Sequence, residues 1–167
     1  MSKRILLLSD THGTCDDFIA KYAADADEIW HAGDVGSLQV LECLETKGPV
    51  RAVYGNIDGG ILRQTLPEFT YWEDGGLKFL MLHIGGYPGR YSARARELID
   101  RYRPDVFIAG HSHILKVMPD KVRHLMHMNP GAAGRSGFHK KRTMLRFHLE
   151  EGQLKDLEVI ERDRKHG

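Results

Sequence analysis

Five short apolar segments of this chain run directly into aspartate, asparagine or histidine. The segments, with the polar residues that follow them, are 5–8 with Asp10 and His12, 28–31 with Asp34, 50–54 with Asn56 and Asp58, 77–82 with His83, and 106–109 with His111 and His113. Short apolar segments of this kind are typical of strands buried on both faces. Ligand sites of α/β sheets lie beyond the carboxyl ends of the strands. We therefore expect these polar side chains to meet in one crevice.

The intervening segments predict helices and further strands. Helices are expected over residues 16–24, 37–45 and 92–102. The strand–helix–strand–helix–strand order of the first half favours a parallel sheet. In the second half, Asp74-Gly75-Gly76 predicts a hairpin. Further strands, mostly antiparallel, are expected at 115–118, 124–128, 143–149 and 154–160. The sequence predicts one α/β domain over residues 1–167, with two sheets packed face to face and helices outside.

Charge and apolar content exclude several classes of protein. The 24 Lys and Arg nearly balance the 23 Asp and Glu, which leaves a net charge of +1 and no general attraction to nucleic acid or anionic membrane. The apolar run at 5–8 is too short for a signal peptide, and no run is long enough to span a membrane. Cys15 and Cys43 cannot build a disulfide framework and are interpreted as small helix residues, so a cytoplasmic location is expected.

The polar residues at the strand ends offer oxygen and imidazole donors in a number that suits two metal ions. The seven donors are Asp10, His12, Asp34, Asn56, His83, His111 and His113. Seven donors are too many for one tetrahedral ion, and two ions need a shared carboxylate, for which Asp34 is the central candidate. Mixed carboxylate, amide and imidazole donors without thiolate favour manganese, with zinc, iron, cobalt and nickel as alternatives. Ion pairs of this kind serve phosphoester hydrolysis.

The blocks D-x-H, G-D, G-N-x-[DE], H and G-H-x-H occur in this order between Asp10 and His113. In this respect the chain resembles the calcineurin-like metallophosphoesterase superfamily. Its length, the block Gly55-Asn56-Ile57-Asp58 and the turn Asn129-Pro130-Gly131 are most similar to the small bacterial and archaeal phosphodiesterase branch. The resemblance implies a four-layer α/β/β/α sandwich with mixed sheets.

The resemblance also implies a role for each donor. One metal would be held by Asp10, His12, Asp34 and His113, and the other by Asp34, Asn56, His83 and His111. Asp58 would hold the Asn56 loop in place. The implied activity is hydrolysis of a small phosphoester, above all a phosphodiester, by hydroxide formed on the metals, with Asp34 and Asn56 acting through the ions.

Four positions depart from this pattern or leave it open. Many relatives have a histidine at the position of Ile57, where it can protonate the leaving group, and isoleucine cannot do so. Arg90, in the glycine-rich segment 85–91, fits a substrate contact and a plain loop equally well. His31 is expected in the core or behind the donors, and His139 at an ordinary surface or strand position.

Two rival functions remain from the sequence. The same fold is known in a retromer-type subunit that acts as a protein-binding scaffold, although all seven donors are present here. A nuclease of the same superfamily is disfavoured for large nucleic acids by the near-neutral charge. The physiological substrate, the preference for diester or monoester, and homo-oligomer formation stay open.

Overall fold

The computed structural model describes residues 2–164, which form four helices and twelve strands. The helices are α1 (Asp17–Ala24), α2 (Leu38–Glu45), α3 (Ile61–Thr65) and α4 (Ala93–Tyr102). The strands are β1 (Lys3–Leu8), β2 (Glu28–His31), β3 (Val50–Ala52), β4 (Phe69–Asp74), β5 (Leu77–Leu82), β6 (Gly86–Tyr87), β7 (Arg90–Tyr91), β8 (Val106–Ile108), β9 (Leu115–Asp120), β10 (Leu125–Pro130), β11 (Lys141–Glu150) and β12 (Gln153–Asp163).

Two mixed five-stranded sheets carry the fold. The first has the order β12-β11-β1-β2-β3, with β1, β2 and β3 parallel and β11 antiparallel to β1. The second has the order β4-β5-β8-β10-β9. Its central strands β5, β8 and β10 are parallel, whereas β4, β9, β11 and β12 pair antiparallel with their neighbours, as expected of a mostly antiparallel second half. Helix α4 lies between β5 and β8 in the chain, and a crossover of that length returns the strand in the same direction.

The strands next to the site are mainly apolar where they approach it, because both of their faces are buried there. On β1, Ile5 and Leu7 pack between the sheets with Trp30 and Phe79, whereas Leu6 packs on the outer face with the residues of α1 and α2. Helix α4 covers the outer face of the second sheet. The order helix, sheet, sheet, helix confirms the four-layer α/β/β/α sandwich.

Several local features were not predicted. Helix α3 falls in a segment for which no element was predicted, and the short hairpin of β6 and β7 lies in the glycine-rich segment 85–91. Cys15 lies in the loop before α1, not in a helix, and forms a disulfide with Cys43 of α2, 28 positions further along the chain. This bond corrects the interpretation of both cysteines as simple small residues.

No helix among residues 2–164 combines the length and the apolar character that crossing a membrane requires. The single domain over 1–167 stays a prediction, since residue 1 and residues 165–167 lie outside the described part.

Candidate metal centre

The donor side chains are aimed into one crevice by an unusual backbone conformation. Asp10, His12, Asp34, His111 and His113 all have positive φ, at 54°, 46°, 55°, 72° and 62°. Residues other than glycine rarely adopt this region, and they do so chiefly where the surrounding structure enforces it. Here each turns the chain sharply just past a strand end, so that successive donors face the same side.

Backbone hydrogen bonds tie the loops of neighbouring strands to one another. The N–H of Asp10 donates to the carbonyl of Gly33 (2.9 Å), and the N–H of His12 donates to that of Asp34 (3.0 Å). Gly33 has φ +106°, and a Cβ atom there would lie 2.6 Å from Nδ1 of His83. Only glycine therefore fits between the first two loops and the histidine that follows β5.

Asp10, His12 and His113 form the first of two donor groups. Oδ1 of Asp10 lies 3.6 Å from Nε2 of His12 and 3.2 Å from Nε2 of His113. The other oxygen, Oδ2, accepts hydrogen bonds from Ser9 Oγ (2.7 Å) and from the N–H of His111 (3.1 Å). Oδ1 of Asp10 and Nε2 of His12 are buried without a hydrogen-bond partner in the described part of the chain. Buried polar atoms are rarely left so, and a cation bound between them would satisfy both.

Asp34, His83, His111 and Asn56 form the second group. Oδ1 of Asn56 lies 3.1 Å from Nε2 of His83 and 3.0 Å from Nδ1 of His111. Nδ1 of His83 donates to the carbonyl of Ala32 (2.7 Å), so that Nε2 is the ring nitrogen that faces the crevice and binds a cation once it is deprotonated. Carboxylate, amide oxygen and imidazole atoms are thus close enough to share one ion.

Asp34 lies between the two groups. Its Oδ2 atom is 3.4 Å from Nε2 of His12 and 3.2 Å from Nε2 of His83. Its Oδ1 atom accepts a hydrogen bond from the N–H of Ile57 (3.0 Å), which fixes the carboxylate plane. One carboxylate therefore reaches both groups of donors.

In the absence of a cation, the carboxylates and imidazoles in the crevice shift one another's pKa values toward the charged forms. Burial opposes ionisation of Asp10 and Asp34, but the imidazoles of His113 and His12 beside Asp10, and that of His83 beside Asp34, outweigh it and lower both pKa values. The neighbouring Asp10 carboxylate raises the pKa of His12, while the Asp34 carboxylate raises that of His83 against the effect of burial. A cation entering the crevice must displace these imidazole protons.

Asp58 holds the two loops that carry Asp34 and Asn56. Its carboxylate accepts three backbone hydrogen bonds, from the N–H groups of Val35 (3.0 Å), Gly36 (2.8 Å) and Gly55 (2.9 Å). The side chain is buried and lies in neither donor group.

His31 and Asn129 support the donors from behind. The N–H of Gly33 donates to Nδ1 of His31 (3.1 Å), and Nε2 of His31 contacts Oγ1 of Thr11 (2.9 Å). Burial lowers the pKa of His31 to about 4, so this ring is neutral. Asn129 Nδ2 donates to the carbonyl of Gly110 (3.0 Å), which places the predicted turn beneath the loop of His111 and His113.

Two cavities adjoin the donor groups. The Tyr54 cavity, about 370 Å³, reaches Asn56 and His83, and its further lining includes Arg63, Ile84 and Arg94. The Phe138 cavity, about 470 Å³, reaches His111 and His113, and its further lining includes Ile114 and His139. Arg90 is exposed on the β6–β7 hairpin and lines neither cavity.

No sequence motif predicts the residues that line these cavities beyond the donors themselves. His139 was expected at an ordinary position, yet its ring centroid lies 5.2 Å from that of His113. Arg63 and Arg94 belong to separate segments that only the fold brings together.

A family model described as a calcineurin-like phosphoesterase superfamily domain matches residues 4–152. The chain belongs to the calcineurin-like phosphoesterase superfamily. A probable metallophosphoesterase of Methanothermobacter thermautotrophicus is 30% identical over 133 residues, which cover 75% of this chain and 74% of that protein. Calcineurin-like phosphoesterases of the small prokaryotic type are thus its relatives. Membership supports phosphoester hydrolysis as the general activity and implies divalent metal ions, for which the two donor groups are suited.

Solved structures with the same fold include proteins of two kinds. A conserved Streptococcus pneumoniae protein, predicted to be a phosphoesterase, matches with a TM-score of 0.69 at 20% identity, covering 99% of this chain and 91% of its own. Vps29 of Entamoeba histolytica, solved in complex with Zn²⁺, matches with a TM-score of 0.64 at 18% identity, covering 95% and 98%. At these identities the matches show a common calcineurin-like fold.

Proposed function

We propose that this protein is a dinuclear, metal-dependent phosphodiesterase. The observation that carries the proposal is the position of Asp34, whose Oδ2 atom lies within 3.4 Å of Nε2 of His12 and Nε2 of His83, one from each donor group. A carboxylate in this position can be shared by two ions, as two-metal phosphoester hydrolysis requires.

The proposed ligands follow from the two groups. One ion would take Asp10, His12, Asp34 and His113, and the other would take Asp34, Asn56, His83 and His111. When bound, two divalent ions neutralise phosphate charge and lower the pKa of water. The reaction forms a bond from a water oxygen to phosphorus, breaks the bond from phosphorus to the departing alcohol oxygen, and moves one water proton to that oxygen or to solvent.

The side chains of this site position the ester and supply little proton transfer. Oδ1 of Asn56 faces His83 and His111, so its Nδ2 group is left to donate to a phosphate oxygen. Ile57 is 48% exposed beside Asn56 and has no proton to give. General acid catalysis is worth roughly 10²–10⁴-fold. We therefore expect esters with good leaving groups to be hydrolysed much faster than alkyl esters.

We propose manganese as the ion that supports the reaction. The donor set contains oxygen and imidazole atoms and no thiolate, which suits manganese. Zinc, iron, cobalt and nickel suit the imidazoles as well, and one protein of the same fold was solved with Zn²⁺. Elemental analysis of the purified protein, followed by assays of the metal-free protein reloaded with each ion, distinguishes them.

Hydrolysis of bis-p-nitrophenyl phosphate with and without Mn²⁺ tests the function. Asp34→Asn removes the shared charge and is expected to lose metal and at least about 100-fold in rate. Asp100→Asn is the matched control, because it makes the same change on an exposed side chain of α4. Full activity of Asp34→Asn, or no turnover by the metal-loaded parent, contradicts the proposal. A comparison with p-nitrophenyl phosphate decides between diester and monoester preference.

The alternative is a scaffold that binds metal weakly or not at all and has no catalytic role. The likeness to Vps29 structures favours it, and one of those was solved with a bound cyclic peptide. The convergence of all seven donors weighs against it. A scaffold would turn over neither ester at any metal concentration, so the same assay separates the two functions.

We further propose a small phosphoester as substrate, since a net charge of +1 provides little attraction for large nucleic acids. A cytoplasmic location stays a prediction. This location was expected because two cysteines cannot build a disulfide framework. The disulfide between Cys15 and Cys43 argues against it, because disulfides are rare in the cytoplasm. Thiol labelling of the protein in rapidly quenched cells tests it.

A further inference from the structure

Exposed apolar side chains lie next to the candidate metal centre. Among the described residues, eight large hydrophobic side chains are exposed. Three of them, Ile57 at 48%, Ile84 at 43% and Ile114 at 54%, directly follow Asn56, His83 and His113 in the chain. A fourth, Phe138, is fully exposed and lies in the cavity that reaches His113. Exposed apolar side chains beside a polar site indicate a place where a ligand binds and covers them.

The Phe138 cavity carries no full charge. Its described lining consists of His111, Ser112, His113, Ile114, Gly137, Phe138 and His139, with no Asp, Glu, Lys or Arg. A second phosphate, a carboxylate or an ammonium group would give up hydration on contact with Ile114 and Phe138 without gaining a side chain of opposite charge in this lining. An uncharged apolar group has no such hydration to lose, and it covers the exposed side chains of Ile114 and Phe138.

The Tyr54 cavity, which borders the other donor group, differs from the Phe138 cavity because charged side chains, Arg63 and Arg94, line it. The Arg63 guanidinium lies 4.5 Å above the Tyr54 ring and donates its Nε–H to the carbonyl of Asp58 (2.6 Å). Arg94 is held by Glu68 (2.8 Å) and Glu97. These cations are matched by acceptors in the protein, and Arg63 with Tyr54 offers a flat face on which a planar group can stack.

We propose that the substrate is a phosphodiester in which an uncharged, apolar ester group occupies the Phe138 cavity and the other ester group faces the Tyr54 cavity. This inference rests on the phosphodiesterase function proposed above and names its substrate class. A monoester has a single organic group and leaves one cavity empty. A substrate with a second phosphate on the group in the Phe138 cavity finds no cation there.

Three diesters that share a p-nitrophenyl leaving group test the assignment, since only the second ester group differs. The second groups are methyl, phenyl and 4-carboxyphenyl. With the Mn²⁺-loaded protein, we expect the phenyl ester to have a KM about tenfold below those of the methyl and carboxyphenyl esters. Phe138→Ser should raise the KM of the phenyl ester about tenfold and change that of the methyl ester less than about twofold. Phe138→Leu should retain the low KM, and Val122→Ser is the control, as an exposed apolar residue outside both cavities.

Binding of diphenyl phosphate and dimethyl phosphate, measured by calorimetry, separates this inference from the proposed function. If no ester is turned over but diphenyl phosphate binds about tenfold more tightly in a Phe138-dependent manner, the function fails and the cavity assignment holds. If all three esters are turned over with equal KM, and Phe138→Ser has no effect, the cavity assignment is overturned and the function stands. Loss of self-association in Phe138→Ser, with unchanged ester KM, would assign the exposed apolar side chains to an interface between copies and also overturn it.

Discussion

The Asp58 carboxylate joins the loop of Asp34 to that of Asn56 through three backbone N–H groups. Asp58→Ala leaves the three backbone N–H groups of Val35, Gly36 and Gly55 without their hydrogen-bond acceptor in the protein interior. We expect a loss of at least about 2 kcal/mol in the free energy of unfolding. Metal affinity should fall about 10–100-fold, because both loops position ligands. Chemical denaturation and metal titration measure the two effects.

Asp100→Ala is the control for this change, since Asp100 has a side chain that is 70% exposed and contacts Arg123 only at 3.9 Å. It should alter neither quantity by more than experimental error. Unchanged metal affinity in Asp58→Ala would show that the loops keep their positions without this carboxylate.

The donor residues could be predicted from the sequence, but the residues that line the two neighbouring cavities could not. Asp10, His12 and His113 each belong to a short local motif that follows an apolar strand, so the sequence itself places them at one edge of a sheet. Phe138 and Arg94 have no such motif, and their position beside the site results from packing between segments far apart in the chain.

Strand β11 and helix α1 are joined through a partly buried ion pair. Arg142 is fully buried and donates from Nη1 and Nη2 to the two carboxylate oxygens of Asp16, both at 2.9 Å, while the Asp16 side chain is 22% exposed. Asp16 is also the N-cap of α1 and accepts from the N–H of Ile19. We expect Arg142→Met to lower the free energy of unfolding by about 2 kcal/mol, because it removes charged hydrogen bonds to Asp16, which keeps Arg135 as a partner.

Lys141→Met provides the comparison on the same strand. Its side chain is 54% exposed, and its ion pairs with Glu161 and Asp163 lie at the surface. The expected loss is below about 1 kcal/mol. Equal effects of the two substitutions in denaturant titrations would show that the Arg142 pair contributes no more than a surface pair.

The disulfide joins the loop after His12 to helix α2 across 28 positions. Closing a loop of that length restricts the unfolded chain by about 3–4 kcal/mol in the entropy model. We therefore expect reduction with dithiothreitol to lower the free energy of unfolding by about that amount. The double variant Cys15→Ser, Cys43→Ser should match the reduced protein and be insensitive to reductant. A reduced protein as stable as the oxidised one would contradict this.

Elements were predictable where the apolar pattern was long enough to specify them. The strand segments at residues 5–8 and 79–82 are buried on both faces, and this is what a continuous apolar run indicates. Helix α3 has only five residues, and β6 and β7 have two each, so no period can be recognised in them. The parallel arrangement of β5, β8 and β10 depends on how distant strands pair, which residues within each strand do not specify.

For the molecule as a whole, the shifted pKa values predict how the stability of the metal-free protein depends on pH. His12 and His83 have raised pKa values, so their contribution is full below 6.5, the value in the unfolded chain, and is lost as pH rises through the folded values. Burial lowers the pKa values of His31 and His127 to about 4. The contribution of these two residues to stability is therefore present above pH 6.5 and is lost as the pH falls toward 4. Stability should therefore be greatest near pH 6.5.

Thermal unfolding of the protein in chelator between pH 4.5 and 8.5 measures this dependence. The acid side has the steeper expected slope, since lowering the pKa of His31 to about 4 is worth about 3 kcal/mol. Added Mn²⁺ should reverse the decline above pH 6.5, because the ion binds deprotonated imidazoles and stabilises the folded state. A metal-free protein that grows more stable up to pH 8.5 would contradict the assignment for His12 and His83.

The left-handed backbone at Asp10, His12, Asp34, His111 and His113 is part of the folded chain itself. Glycine adopts that conformation without the penalty that other residues incur. Exchanging one such donor for glycine should therefore give a protein that is more stable but inactive. Selection for heat resistance alone would then remove activity first by substitutions at these five positions.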